Sequence, residues 1–343
     1  MRQLKGLATG IGSLPHKDAD EALDLIFKYL PEIPFWPQLP KRDHREGMVA
    51  QYGENLPCMK FVDNSLIFNG IDKEKELEVF YENIISGNVD HFKISSDFSV
   101  GVYRLYQRLE KTDLSKIKFI KCHITGPFTF AASLKDERGV SLLHDEVMLQ
   151  TIIKGLGMKA LWQINLFRQF GKPIIMFMDE PYLAGFGSAY TPINREDVVS
   201  GLTETAESFK AKDVLIGAHC CGNTDWSIFT DVEALDIINF DAFDFQDKFL
   251  LYADNLKSFL KRDGVICWGI VPTQGFSESQ TAGQLAQKIE DGIKTLVKKG
   301  LDQELLFSNL LISPACGLGS LETRAAGHIL KLLSDTASHL RRK

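Results

Sequence analysis

The residues of this chain with the strongest chemistry lie in its last third: His219 and Cys221 in Ile216-Gly-Ala-His-Cys-Cys-Gly222, Cys316 in Ser313-Pro-Ala-Cys-Gly317, and Asp241 between them. Two thiolates and one imidazole form a ligand set that suits Zn²⁺. With one coordination position left for a substrate sulfur, such a site makes a thiolate at neutral pH. Taken singly, each residue has a plainer explanation: a buried histidine bonded to a backbone carbonyl, or a buried cysteine with no function. Taken together they differ, because a His-x-Cys pair on an extended segment points both side chains to the same side. By the same alternation Cys220 points away. Asp241 has Asp244 and Asp247 close by in sequence, and is expected either as a fourth ligand or as the partner of a ligand.

These residues need elements that bring them together. Short apolar runs alternate with longer helix-period stretches along the chain. The expected strands are 6–12, 34–38, 117–124, 173–178, 214–218, 234–240, 264–271 and 310–313. Helical periodicity marks 18–29, 73–85, 145–170, 195–209, 249–260, 279–299 and 321–340. About eight β/α alternations predict a (β/α)8 TIM barrel, an α/β fold, with residues 41–116 as an elaborated early connection. A doubly wound open sheet is the alternative; no glycine-rich dinucleotide fingerprint follows the first run, which counts against it.

In a barrel the chemistry sits at the C-terminal ends of the strands. Those ends carry Ile11-Gly-Ser-Leu-Pro15, His123-Ile-Thr-Gly-Pro127, Asp179-Glu-Pro181, His219-Cys-Cys-Gly222, Asp241 and Cys316-Gly-Leu-Gly319, so all should face one crevice. Asp179 follows the apolar run Ile174-Ile-Met-Phe-Met178 and could bind a substrate ammonium or hold a proton. A carboxylate capping the next segment is the plainer alternative. Gly12-Ser13 lets the backbone approach a small ligand closely, or simply turns the chain before a helix at Asp18 or Asp20.

The bulk numbers narrow the function class. With 343 residues, 44% hydrophobic and 24% charged, the composition is ordinary for a globular chain, and residues 1–343 read as one catalytic domain. A net charge of −6 argues against a nucleic-acid or anionic-membrane surface, which needs a local excess of Lys and Arg. No apolar run approaches the roughly 20 residues of a spanning helix, and no signal-peptide core follows Met1-Arg-Gln-Leu-Lys5, so a cytoplasmic location is expected. In a reducing compartment the six cysteines stay free or metal-bound.

Ile11-Gly-Ser-Leu-Pro15, Arg45-Glu-Gly-Met-Val49 with Tyr52-Gly-Glu54, Thr125-Gly-Pro127, Asp179-Glu-Pro181, His219-x-Cys221 and Pro314-Ala-Cys-Gly-Leu318 resemble, in order, the motifs of the catalytic barrel of cobalamin-independent methionine synthase. The wider superfamily includes coenzyme M methyltransferases and uroporphyrinogen decarboxylase. The resemblance implies that His219, Cys221 and Cys316 bind zinc, with Asp241 where the synthases have a Glu ligand. It places Ser13 and the backbone of Ile11 at the carboxylate of an amino-acid thiol, and Asp179 at its amine. The chain also departs from the pattern. Met48-Val-Ala-Gln51 lacks the second amine-binding Glu, Ser133 stands where a folate-packing Trp is expected, and Gly269-Ile-Val-Pro272 lacks a His. These changes point to a methyl-corrinoid donor on a separate protein in place of a folate. The acceptor is a small thiol such as homocysteine, or one like coenzyme M. A uroporphyrinogen decarboxylase-like enzyme using Asp97, or a non-catalytic corrinoid- or thiol-binding protein, are the alternatives.

Overall fold

The computed structural model describes residues 4–188 and 193–342. Its strands are β1 (Leu7–Ala8), β2 (Met59–Val62), β3 (Ser65–Phe68), β4 (Ile120–Thr125), β5 (Ile174–Asp179), β6 (Val214–Cys220), β7 (Ile237–Asp241), β8 (Val265–Val271) and β9 (Leu310–Pro314). Seven of them make one parallel sheet in the order β1-β9-β8-β7-β6-β5-β4. The expected second strand closes the curl: Phe35 bridges to Lys121 of β4, and Gln38 bridges to Ser13 just past β1, both in parallel. The expected TIM-barrel architecture is therefore present.

Two expected strands are shorter than their apolar runs. The segment 34–38 makes bridges and no continuous ladder, because Pro34 and Pro37 have no N–H to donate. Its neighbour 6–12 is regular only over Leu7–Ala8. Gln38 N–H donates to Gly12 O (3.1 Å) and Lys121 N–H to Pro34 O (2.9 Å), which holds the second strand between β1 and β4.

Helices on the outside cover the sheet, and several begin at the residue types that cap well. Asp18 accepts from the amides of Asp20 and Glu21 ahead of Ala19–Tyr29, Asp145 from Met148 ahead of Glu146–Arg168, and Thr281 forms a capping box with Gln284 ahead of Ala282–Lys298. The expected helix 249–260 divides into Gln246–Phe249, a 3₁₀ turn and Ala253–Lys261. Among the described residues no helix is long and apolar enough to cross a membrane.

The early connection carries a hairpin, β2 with β3, that periodicity alone did not mark. Asp63 (φ 47°) and Asn64 (φ 63°) both take the left-handed region between paired Val62 and Ser65, the backbone of a tight two-residue turn. Helices Lys73–Ile85 and Val100–Glu110 follow. Buried Lys159 of the long outer helix donates to Glu54 O (2.6 Å), and Tyr52 OH donates to His123 O (2.9 Å), so the connection is fastened to the barrel wall.

The barrel interior explains where chemistry is possible. Leu7, Ile175, Phe177, Leu215, Ile237, Val265, Cys267 and Leu311 form one buried cluster. Period two then places Asp179 beyond Phe177, His219 beyond Leu215, Asn239 beyond Ile237 and Ser313 beyond Leu311 on the same inward columns. Gly217 occupies the remaining inward position of β6 because a Cβ there would lie 2.3 Å from the Phe177 ring. Each column thus changes from apolar to polar as it nears the C-terminal end of its strand.

Gly101 of helix Val100–Glu110 packs on the second strand so closely that a Cβ would lie 1.9 Å from Pro37 O. The Gly101→Ala variant gains about 1 kcal/mol of helix propensity but must move backbone, at an overpacking cost of about 1–3 kcal/mol. Urea denaturation is expected to show a lower midpoint; an unchanged or higher one contradicts this packing.

Candidate functional site

His219 is the penultimate residue of β6, Cys221 follows that strand, and Cys316 follows β9. Their ligand atoms all lie within 4.8 Å of one another, and they are the metal-ligand group found among the described residues. Cys220 is buried on the opposite side, as alternation requires; its thiol donates to Gly222 O (3.7 Å) and is pushed up to about 12 by burial. It takes no part in the group.

The imidazole is oriented by a residue that sequence reasoning missed. Asn239 of β7 donates through Nδ2 to Cys267 O (2.9 Å) and to Ser313 Oγ (2.8 Å), and Ser313 Oγ in turn donates to Pro314 O (2.8 Å). Both amide hydrogens are used, so Oδ1 must face His219 Nδ1, with which it is hydrogen bonded. Nδ1 is therefore the donor, which leaves Nε2 for the thiols. The only signal in the sequence was the even spacing from Asn239 to Asp241, shared by many core residues.

The electrostatics of the three residues favour a cation. Cys316 donates to Cys221, which together with the His219 hydrogen bond holds the Cys221 thiol far below its usual range against burial; Cys316, as the donor, is raised. Burial lowers the His219 pKa, but the hydrogen bond to Cys221 and the charges of Asp179 and Cys221 carry it above its ordinary value. Protons thus hold together groups that a divalent cation would bind in their place. Two thiols, an imidazole with a locked tautomer and burial fit Zn²⁺.

Asp241 ends β7 and lies outside that group of three. Its Oδ1 accepts from the amides of Phe243 and Asp244, both at 2.9 Å. Burial pushes its carboxyl up to about 6 against those two bonds, with the charges of Asp244 and Cys221 adding to the rise.

A cavity of 270 Å³ opens beside the thiols, lined by Ile11, Ser13, Gln38, Pro40, Met48, Asp179, Pro181, His219, Cys221, Cys316, Gly317, Gly319 and Ser320. Asp179 is buried and its Oδ1 has no hydrogen-bond partner. Burial raises its pKa, with His219 and Lys121 opposing. Ser13 Oγ accepts from Gly319 N–H (3.2 Å) and Ser13 O from Leu318 N–H (3.0 Å), tying the loop after β1 to the loop that carries Cys316. Lys121, another residue not foreseen, is fully buried; its ammonium donates to Ile11 O (2.5 Å), sits 4.4 Å from the Phe177 ring centre, and is lowered to about 8 by burial.

Not every strand end reaches this cavity. His123 is stacked on Trp36 with ring centres 3.7 Å apart and is absent from the lining. Glu180 turns outward to accept from Phe128 N–H (3.0 Å), Thr129 N–H (2.8 Å) and Thr129 Oγ–H (2.6 Å), so it caps the first turn of the earlier helix Pro127–Ala132 and not the segment that follows it. Asp97 has a side chain 72% exposed and paired with Arg45 at 3.3 Å, outside the cavity, which removes the carboxylate that a decarboxylase reading needed. A larger groove, 1020 Å³, lies where Lys5, before β1, meets helices Ala282–Lys298 and Gln303–Ser308. It is at the opposite end of the barrel and is lined by no histidine or cysteine.

Residues 42–339 match the family described as cobalamin-independent synthase, catalytic domain. The chain belongs to this family. A methionine synthase of Methanocaldococcus jannaschii is 26% identical over 222 residues, which is 62% of this chain and 62% of that protein. A B12-independent methionine synthase from Shewanella sp. W3-18-1, solved in complex with selenomethionine, superposes with a TM-score of 0.61 over 99% of this chain and 98% of the other, at 16% identity. That likeness shows the family's barrel fold.

Removing the Asn239 amide frees the His219 ring. The Asn239→Ala variant is expected to lose about 10–100-fold in zinc affinity, read by competition with a chromogenic chelator; wild-type affinity would contradict the tautomer lock.

Proposed function

We propose that this chain is a zinc-dependent thiol S-methyltransferase that moves a methyl group to a small thiol such as homocysteine. One observation carries the reading: three soft ligand atoms within 4.8 Å of one another line the same small cavity as a buried carboxylate oxygen with no partner. Membership of the synthase family supports the reaction class.

In this reading His219, Cys221 and Cys316 hold the metal, and Asp241 supports it from the end of β7 as ligand or as partner. Zinc bound there would keep the acceptor sulfur as thiolate, a thiol otherwise having a pKa of about 8.5. The protein's own groups do the rest. Asp179 offers its free oxygen to an ammonium on the substrate, while Ser13 and the backbone of Ile11, braced by Lys121, face its carboxylate end. Met48, Pro40 and Pro181 supply apolar wall against water. The thiolate displaces the methyl donor in line: a C–S bond forms, the bond from carbon to its carrier breaks, and the carrier leaves with the electron pair.

For the donor we infer a methyl-corrinoid on a partner protein. The support is local: Ser133, where the synthases place a Trp, ends helix Pro127–Ala132 with its hydroxyl donating to Thr129 O (2.7 Å), so it offers no aromatic surface for a folate ring.

Protein purified without chelator is expected to carry about one zinc per chain by mass spectrometry, lost in both Cys221→Ser and Cys316→Ser, and to methylate homocysteine from methylcobalamin. Absence of metal after zinc is offered rules out thiol activation by this site. The Asp179→Asn variant is expected to keep its zinc and raise KM for homocysteine by about tenfold or more, the scale of one hydrogen bond to a charged group. An unchanged KM would place the ammonium elsewhere.

A further inference from the structure

The early connection leaves one of its faces uncovered. Among the described residues eight large apolar side chains are exposed, and seven of them fall between residues 62 and 147. Three contacts bring the segments that carry them side by side. Lys60 of β2 pairs with Glu76 of helix Lys73–Ile85 (2.6 Å), Gly70 N–H donates to Glu137 Oε1 (2.8 Å), and Lys73 pairs with Asp145 (2.6 Å). Val62 and Ile67 share the outer face of the β2–β3 hairpin, by their register. With Ile71, Val79, Val140 and Val147 they form one surface, and a cleft of 400 Å³ between the hairpin and the helix, lined in part by Leu56, Met59 and Phe80, opens on it. Apolar surface gathered in this way marks a site of association.

The surface stands at the catalytic end of the barrel. Helix Pro127–Ala132 leaves the C-terminal end of β4 and helix Glu146–Arg168 returns the chain to the start of β5, so residues 133–147 lie at the end where the cavity opens. The surface is also acidic. Residues 59–85 and 135–147 carry ten Asp and Glu against five Lys and Arg, a net −5 in a chain of net −6. Glu74, Glu78 and Glu82 make an exposed row four residues apart, and none of them has an ion pair among the described residues. Like charges so spaced cost a helix stability and are answered by cations from a partner. A second copy of this chain would bring the same negative charge. The cavity, at 270 Å³, is smaller than the roughly 300–1,000 Å³ of a site for a drug-sized ligand; it suits a small thiol, and a corrinoid has to stay at its mouth. We propose that this face docks the protein that carries the methyl group, a partner whose contact patch is apolar and ringed by Lys and Arg. This rests on the thiol-methyltransferase reading with its corrinoid donor and adds where the carrier binds.

The test is the rate of homocysteine methylation by the zinc-loaded protein with two donors: free methylcobalamin, and the methylcobalamin-loaded corrinoid protein of the same organism. Wild type is expected to show the higher kcat/KM with the carried donor, and that value is expected to fall with added salt. The double variant Ile67→Lys, Ile71→Lys, at two exposed positions, is expected to cut it by about tenfold or more and to leave the rate with free methylcobalamin unchanged. Glu74→Lys with Glu78→Lys is expected to lower it less and to flatten its salt dependence. Equal losses with both donors, or no loss with the carried one, overturn the proposal. So does a wild-type dimer that Ile67→Lys, Ile71→Lys turns into monomer in sedimentation, because a second copy then covers the face. If wild type uses free methylcobalamin and not the carried donor, the docking proposal fails and the methyltransferase reading stands; if it uses neither, the corrinoid reading fails and this inference with it.

Discussion

The constraint on which the rest depends is the period-two alternation of strands in a closed parallel barrel. Once Phe177 and Leu215 face the interior, Asp179 and His219 have no choice but to follow them. His219 and Cys221 then share a side, Cys220 is turned into the packing outside the barrel, and the inward columns meet at one end. Asn239 turns this shared layer into a rigid one, since its amide bonds β7 to His219 on β6, Cys267 on β8 and Ser313 on β9. An imidazole oriented by an amide that is tied to three strands is preorganised.

The same end of the barrel is short of positive charge. Asp179, Asp241, Cys221 and Cys316 are acidic groups at or beside the cavity, while Lys121 is the fixed cation beneath it and is spent on Ile11 O. Burial makes each carboxyl harder to ionise, and hydrogen bonds link Cys316 to Cys221 and Cys221 to His219. In a weakly screened interior such a set is completed by cations from outside. In the proposed function, a metal at the thiols and an ammonium at Asp179 would answer that need at two separate places.

The least regular strand of the barrel is the one most dependent on side chains. Residues 34–38 lack a ladder because of their prolines, and they are held by Gly101 packed on Pro37, by Trp36 Nε1 donating to Gln163 Oε1 (2.9 Å), and by Gln38 Nε2 donating to Gln51 Oε1 (2.7 Å). The early connection therefore takes part in the cavity as well as covering the barrel, since its Met48 continues the wall that Gln38 and Pro40 begin.

Much of this was legible in the residues themselves. The β/α alternation, the apolar runs before Asp179 and His219, and the His-x-Cys spacing depend on periodicities that are local to the chain, so the barrel and the clustering of His219, Cys221 and Cys316 could be read directly. Strand ends were legible only as candidates, and His123, Glu180 and Asp97 show why: packing on Trp36, capping of a neighbouring helix and pairing with Arg45 are long-range competitions that no spacing reveals. Asn239, Lys121 and Gln38 were invisible for the converse reason, since a polar residue in an apolar run declares its burial but not its partner. The sequence by itself determined the fold class and which residues point inward, because alternation is a property of the backbone. Only the tertiary structure decided which inward residues meet, because barrel closure and the direction of hydrogen bonds depend on atoms far apart in the chain.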